Sequence, residues 1–416
     1  LRRNDILLLS VAASRHFHIR AAGKPSRKLS AAEIGAALHQ HQLRYARSVL
    51  IRQDPRNSPP DTSFMNFISD NLAGASAPVL QAMTAANDGF ATAYGNDAWT
   101  KRVEALFTEL FEREVAVFLV TTGTAANALA LASLVQPWGA VLCHHEAHIA
   151  ADECGAPEFF TGGAKIVGLP GDGCKLAPAV VTDQLARMRA GALHQVQPQM
   201  LSITQVTECG LVYTPAEIAA LKQAIVPRGL KLHMDGARFA NAVAALGCTP
   251  AEITWKAGVD VLSFGGTKNG AFAAEAVIVF DPANAGEMPW RRKRAGHTLS
   301  KGRLIGAQFE GLLANGHWLD LARHANAMAS RLARAVMAEG KLRLAWACEA
   351  NEVFLVLPPQ AQAALAAQGT QYFAWSGDAL PEGEQLQADE VVGRFVCSFA
   401  TRAEEVDRLA AVLAAV

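Results

Sequence analysis

Short apolar runs recur at residues 115–120, 140–143, 200–204, 230–234, 259–264 and 276–280, with helix-like segments such as 215–224 between them. Runs of this length read as buried strands, and strands that alternate with helices build an α/β domain around a mainly parallel sheet. Ligands of such a sheet bind beyond the carboxyl ends of its strands, so the residues that follow each run are the ones to read for chemistry.

The first unit shows the pattern. Val103, Leu106, Phe107, Leu110 and Phe111 recur at spacings of three and four, which predicts an amphipathic helix over 101–113. The run 115–120 then reads as a strand, Thr121-Thr122-Gly123-Thr124 as a turn, and 125–134 as a helix rich in alanine and leucine. After about residue 320 come a long Ala/Arg-rich helix, strands at 352–356 and 393–399, and a closing helix from Glu404. The expected organisation is an N-terminal extension over 1–64, a large domain over 65–315 and a small α+β domain over 316–416. There is no internal repeat.

With 416 residues, 51% of them hydrophobic, the chain can bury a large core. Lys+Arg and Asp+Glu balance at 38 each, so no global field points to nucleic acid or an anionic membrane, and a small charged or zwitterionic ligand fits better. No apolar run reaches the roughly 18 to 20 residues that span a bilayer. Cys143, Cys154, Cys174, Cys209, Cys248, Cys348 and Cys397 form no CxxC pair and no framework spacing, as expected of reduced thiols in a cytoplasmic protein.

Residues 1–60 differ from the rest, with eleven Arg/Lys against Asp5, Glu33 and Asp54, and end in Asn57-Ser58-Pro59-Pro60, a linker-like boundary. The apolar stretch 6–13 after Arg2 and Arg3 has the length of a short signal-peptide core without a clear cleavage pattern, and the composition also suits an organelle transit peptide. Because the first methionine is Met65, the expectation is upstream sequence in front of the natural start, set aside from fold reasoning.

Three strand ends carry chemistry. Thr122-Gly123-Thr124 opens a helix, where free N–H groups and the helix dipole can hold a phosphate; a Thr cap alone is the bland alternative. Asp235 and Arg238 follow the run 230–234, either as a ligand-binding pair or as a structural ion pair. Lys268 sits in Gly265-Gly266-Thr267-Lys268-Asn269-Gly270, where small residues let the backbone approach a ligand and a desolvated amine suits Schiff-base chemistry. The order is not that of a Walker loop. His144-His145-Glu146-Ala147-His148 is one residue short of a HExxH zinc helix and puts its histidines on different faces, so no metal is expected.

These sites occur in order with Ser69-Asp70-Asn71, Ala93-Tyr94-Gly95-Asn96-Asp97, Gly123-Thr124-Ala125-Ala126-Asn127, Glu146-Ala147-His148, Asp235-Gly236-Ala237-Arg238 and Gly265-Gly266-Thr267-Lys268-Asn269. From about Phe67 to its end the chain resembles the L-threonine aldolase (β-eliminating lyase-like) family of fold-type-I pyridoxal-phosphate (PLP) enzymes, particularly its bacterial low-specificity branch. The resemblance implies an aspartate-aminotransferase-like fold whose large domain holds a mainly parallel seven-stranded sheet. It implies that Lys268 carries PLP, that Asp235 binds the pyridine nitrogen and that Gly123 and Thr124 hold the phosphate. His148 would stack on the ring and serve as base for the substrate hydroxyl. Ser69, Arg238 and Arg394 would lie near the substrate carboxylate, with Arg238 also near the cofactor's phenolic oxygen; the bland reading of Arg394 is an exposed strand-edge arginine. The implied reaction is retro-aldol cleavage of L-threonine, L-allo-threonine and related β-hydroxy-α-amino acids to glycine and an aldehyde. The implied assembly is a homo-oligomer, a dimer of dimers with active sites at the dimer interface.

Two departures from the family pattern stand out. Glu208, in Val206-Thr207-Glu208-Cys209-Gly210, replaces a group expected near the substrate hydroxyl, which leaves the preferred β-carbon configuration open. In 291–301, where relatives carry an arginine that reaches the neighbouring subunit's phosphate, Lys301 is the candidate substitute and Arg294 the alternative. Competing readings are another fold-type-I reaction, such as β-elimination, racemisation or transamination, and a catalytically idle PLP-fold interaction protein.

Overall fold

A computed structural model describes residues 65–377, 379–381 and 383–416, and the readings made for residues 1–64 lie outside them. The apolar runs become a seven-stranded sheet built of β1 (Ala116–Val120), β2 (Gly139–His144), β3 (Lys165–Leu169), β4 (Gln197–Thr204), β5 (Lys231–Gly236), β6 (Val261–Gly265) and β7 (Glu275–Val279). Their spatial order is β1-β7-β6-β5-β4-β2-β3. The strands from β3 through β2, β4 and β5 to β6 pair in parallel, while β7 runs antiparallel to both β6 and β1. The connection 266–274 is too short to hold a crossover helix, so the chain can only turn back after β6. That return presents Lys268 at the strand end.

β3 escaped the sequence reading. It is an edge strand with a mixed burial pattern, and its run Ile166-Val167 is broken by Gly168, so it lacks the continuous apolar signature of the inner strands. The helix predicted over 101–113 runs instead from Ala98 to Leu110, because the Asp97 carboxylate accepts the Thr100 N–H at 2.8 Å and starts the helix earlier.

The core between this helix and the sheet is aromatic. The fully buried Phe107 ring lies edge-on to Phe264 and Phe309 at 5.1 and 5.3 Å, and Phe111 meets Phe280 at 5.1 Å. Burial of each such ring contributes about 1.5–3 kcal/mol. This packing fixes β6, and with it the position from which Lys268 projects.

A second sheet contains β8 (Arg343–Leu344), β9 (Glu352–Leu357), β10 (Phe373–Trp375) and β11 (Val391–Val396), antiparallel throughout in the order β10-β11-β9-β8. Helices His317–Glu339, Pro359–Ala367 and Ala403–Ala414 accompany it. Both sheets belong to one compact unit. Two features join them. Asn241 and Asn326 exchange hydrogen bonds of 3.0 and 2.9 Å, and residues 65–67 lie along the small sheet, with the Phe67 N–H donating to the Gln371 carbonyl and the Phe67 carbonyl accepting from Val396 N–H, both at 2.8 Å. Among the described residues no helix is long and apolar enough to cross a membrane.

Candidate active site

Lys268 occupies the single turn Thr267–Asn269 directly after β6. The turn is pinned from below by Glu275 on β7, a buried carboxylate that accepts Gly266 N–H at 3.1 Å and Thr267 N–H at 3.3 Å. Burial pushes the Glu275 carboxyl up to about 7. Glycine is required beside the lysine: a Cβ on Gly265 would stand 2.4 Å from the Ala237 carbonyl oxygen, and one on Gly266 2.4 Å from that of Ala274. Loss of solvent holds the Lys268 ammonium below its usual range, with the Arg238 charge adding to the effect and the Asp70, Asp235 and Glu352 carboxylates opposing it.

Asp235 ends β5, beside β6, and is buried. Its Oδ1 accepts the Ala237 N–H at 3.0 Å and its Oδ2 accepts an Asn127 amide N–H at 2.7 Å, so the carboxylate plane is fixed from two sides. The same Asn127 nitrogen donates to Glu153 Oε1 at 2.8 Å. Glu153 Oε1 also meets His148 Nδ1 at 2.8 Å, and because a carboxylate only accepts, Nδ1 carries the proton and Nε2 is left as the basic atom. That hydrogen bond raises the His148 pKa against the opposing effect of burial. Glu208, in the loop after β4, accepts the His148 backbone N–H at 3.1 Å; its second oxygen is buried with no hydrogen-bond partner among the described residues, and burial pushes its carboxyl up to about 7.

The helix Gly123–Leu134 begins at the carboxyl end of β1. Thr122 caps it by accepting the Ala125 N–H at 3.1 Å, which leaves the first-turn amides of Gly123 and Thr124 without a partner inside the helix. A Cβ on Gly123 would meet nothing within 4 Å, so space lies open in front of those amides. A phosphate fits there, a protonated ring nitrogen fits the buried Asp235 carboxylate, and an aldehyde carbon fits the partly buried Lys268 amine.

Beside this constellation lies a charge cluster contributed by the turn Asp70–Leu72, the loop after β5 and the start of β9. Arg238 donates to Asp70 through Nε at 2.7 Å and Nη2 at 3.1 Å, and Glu352 Oε1 lies 3.4 Å from Nη2. Burial disfavours the guanidinium charge, but Asp70 and Glu352 outweigh it and raise its pKa. Asp70 also accepts the Asn351 amide at 3.0 Å. Arg238 is therefore already engaged in a bidentate pair with Asp70, an ion pair with a partner other than Asp235. Ser69 caps the turn Asp70–Leu72 by accepting Asn71 N–H at 3.1 Å, which leaves its own proton to donate. Arg394 on β11 stacks over Trp375 at 4.6 Å and Phe373 at 5.1 Å, and its Nε is buried with no hydrogen-bond partner among the described residues. It is thus half-buried rather than an exposed edge residue, and its Nη2 reaches the Ile68 carbonyl at 3.5 Å.

Lys301 and Arg294 are both exposed and do not join the cluster within one chain. The histidines of 144–148 fall on different elements: His144 ends β2, His145 Nδ1 meets the Leu169 carbonyl at 3.0 Å, and His148 opens a short helix. Among the described residues no group of three or more His, Cys, Asp or Glu side chains is arranged to hold a metal ion.

The sequence alone assigns no role to Asp70, Asn127, Glu153, Glu275 and Glu352. Asn127 left a signal, as a polar residue inside an Ala/Leu helix; Glu275 and Glu352 open strands that were read only for their apolar residues.

Comparison with known proteins agrees with this geometry. A model of the beta-eliminating lyases matches residues 66–357. The low specificity L-threonine aldolase of Pseudomonas sp. (strain NCIMB 10558) is 43% identical over 84% of this chain and 97% of its own length, and that of Pseudomonas aeruginosa 43% over 83% and 95%. The solved threonine aldolase of Leishmania major has a TM-score of 0.77 at 30% identity, over 84% of this chain and 98% of its own. Serine palmitoyltransferase of Sphingomonas wittichii, 14% identical with a TM-score of 0.64 over 93% and 98%, shares the fold alone. The sheet order, the strand-end site and these likenesses agree with the expected type I fold, and the chain belongs to the beta-eliminating lyase family.

Proposed function

We propose that this protein is an aldehyde-lyase of the L-threonine aldolase type, which uses PLP to cleave L-threonine, L-allo-threonine and related L-β-hydroxy-α-amino acids into glycine and an aldehyde. One observation carries the reading: a histidine whose Nδ1–H is held by a buried carboxylate stands in the same electrostatic cluster as a desolvated lysine and a buried aspartate. Aldol cleavage needs such a base for the substrate hydroxyl. The naming of the 43% identical relatives supports the same chemistry.

Bound PLP supplies an electron sink for the carbon left behind when the Cα–Cβ bond breaks. Lys268 carries it, Gly123 and Thr124 hold its phosphate, and Asp235 keeps its ring nitrogen protonated. Arg394, with the Ser69 hydroxyl, orients the substrate carboxylate, while Arg238 stays paired with Asp70 and lends its charge to the same region. His148 Nε2 takes the hydroxyl proton and Glu153 stabilises the imidazolium that results. Threonine yields acetaldehyde and phenylserine benzaldehyde.

Incubation with L-threonine, L-allo-threonine and phenylserine tests the reading. Equimolar glycine and aldehyde is the expected result; pyruvate and ammonia from serine, without aldehyde from threonine, would replace it with β-elimination. The pH dependence gives a second check. His148 must be neutral to act, so kcat/KM rises as pH passes upward through its raised pKa. Glu153→Gln keeps an acceptor for Nδ1–H but removes the charge, so the His148 pKa falls and the acid limb of kcat/KM moves to lower pH. An unmoved limb would assign it to another group.

The assembly follows from the same reading: a homo-oligomer, a dimer of dimers, in which Lys301 or Arg294 reaches the neighbouring phosphate. Exposure of both side chains is compatible with that. Residues 65–315 and 316–416 act as large and small domains around the site. All seven cysteines are unpaired, which suits the reducing cytoplasm.

A further inference from the structure

Asn127 lies one turn inside the helix Gly123–Leu134, among buried Ala125, Ala126, Ala128 and Leu129. Asparagine is a poorer helix former than any of these neighbours, and a buried amide is costly unless it is bonded. Its Oδ1 has no partner among the described residues, so the side chain is held there by its nitrogen. Both Nδ2 protons are used, one on Asp235 Oδ2 at 2.7 Å and one on Glu153 Oε1 at 2.8 Å. The amide cannot be flipped, since Oδ1 would then face two carboxylate acceptors.

We propose that Asn127 is a positioning residue that ties Asp235 to the Glu153–His148 pair, so that the carboxylate serving the ring nitrogen and the base serving the substrate respond to protonation as one hydrogen-bonded unit. The proposal rests on the PLP reading of Asp235 and His148 and adds a link between them.

The charges support a bridge of this kind. Two buried carboxylates brought to one nitrogen repel, and without a shared donor one of them would take up a proton. Burial and the Asp235 charge both raise the Glu153 pKa, while the His148 and Asn127 hydrogen bonds lower it. His148 in turn faces Glu153 on its own segment, Glu208 from the loop after β4, Asp235 at the end of β5 and Lys268 after β6. Of these groups, Asp235 and Glu153 share the amide. Protonation of His148 offsets the Glu153 charge and frees Asn127 to bond more strongly to Asp235, whereas loss of that proton does the reverse. In this way the proton taken up by His148 shifts the shared amide towards Asp235 and steadies the position of that carboxylate.

The test is a double-mutant cycle read by NMR titration of His148 in histidine-labelled holoenzyme, alongside pH profiles of kcat/KM. Asn127→Ala is expected to raise the His148 midpoint, because Glu153 loses a donor that satisfied its charge, and to lower kcat/KM about 10-fold to 100-fold, as for loss of a hydrogen bond to a charged group. Asp235→Asn lowers the midpoint in the parent, and in the Asn127→Ala background that shift shrinks. Asn127→Thr, which can donate only one hydrogen bond, falls between. An equal Asp235→Asn shift in both backgrounds would overturn the link, since the two groups would then feel each other only through space. An unchanged His148 midpoint and pH profile in Asn127→Ala would overturn it as well. The NMR arms do not depend on which substrate is cleaved, so failure of the aldolase reading and failure of the link are told apart.

Discussion

Lys268→Ala is expected to lower kcat/KM by at least about 10⁴-fold, the upper end for removing one positioned group from a proton-transfer site. The loss should also be visible without turnover. Borohydride treatment of the holoenzyme followed by peptide mapping should place the reduced cofactor on the peptide containing Lys268, and the variant should carry none. The geometry explains why another amine cannot substitute. The lysine turn is clamped by Glu275 through two backbone amides, and the glycines at 265 and 266 allow contacts that any Cβ would break. Its desolvation keeps a larger share of the amine neutral, which is the nucleophilic form. Cofactor recovered on a different lysine would displace Lys268 from its role.

Asp235→Ala is expected to lower kcat/KM by about 100-fold, the scale for losing a hydrogen bond between charged groups. Two donors lose their acceptor, the Ala237 N–H and one Asn127 N–H, and on the proposed reading the ring nitrogen would lose the group that keeps it protonated. Stability should not fall in step. Removal of Asp235 also relieves its repulsion of Glu153, which offsets part of the cost of the unsatisfied donors, so the thermal midpoint is expected to fall by only a few degrees while kcat/KM and cofactor retention on dialysis both drop sharply. A variant that melts early and keeps normal activity per folded molecule would make Asp235 a structural residue only.

Much of the architecture was legible because β2, β4, β5 and β6, inner strands paired in parallel, and β1, an edge strand covered by helices, all stand out as short apolar runs. The edge strand β3 was hidden because half of it faces outward, and β8 and β10 because two or three residues carry no period. In the site, Lys268, Asp235 and His148 could be named from the ordered motifs they sit in. The partners could not. Glu153 and Asn127 are 26 residues apart and meet only when the helix after β1 packs beside the segment after β2. Arg238 looked free to take a substrate carboxylate because nothing near it in the sequence shows that Asp70, 168 positions earlier, will fill its fork.

That long-range pair has a further consequence for synthesis of the chain. If the site takes Asp70 from near the start of the described region and Arg394 from the last strand, as proposed above, a chain emerging from a ribosome cannot assemble it until β11 is out. A partly made chain can fold its aromatic core early but presents Lys268 and His148 in an unfinished cleft, without the arginine that would orient a substrate. On this reading catalytic competence waits for the last strand of the small sheet, and a chain cut before β11 is expected to lack aldolase activity.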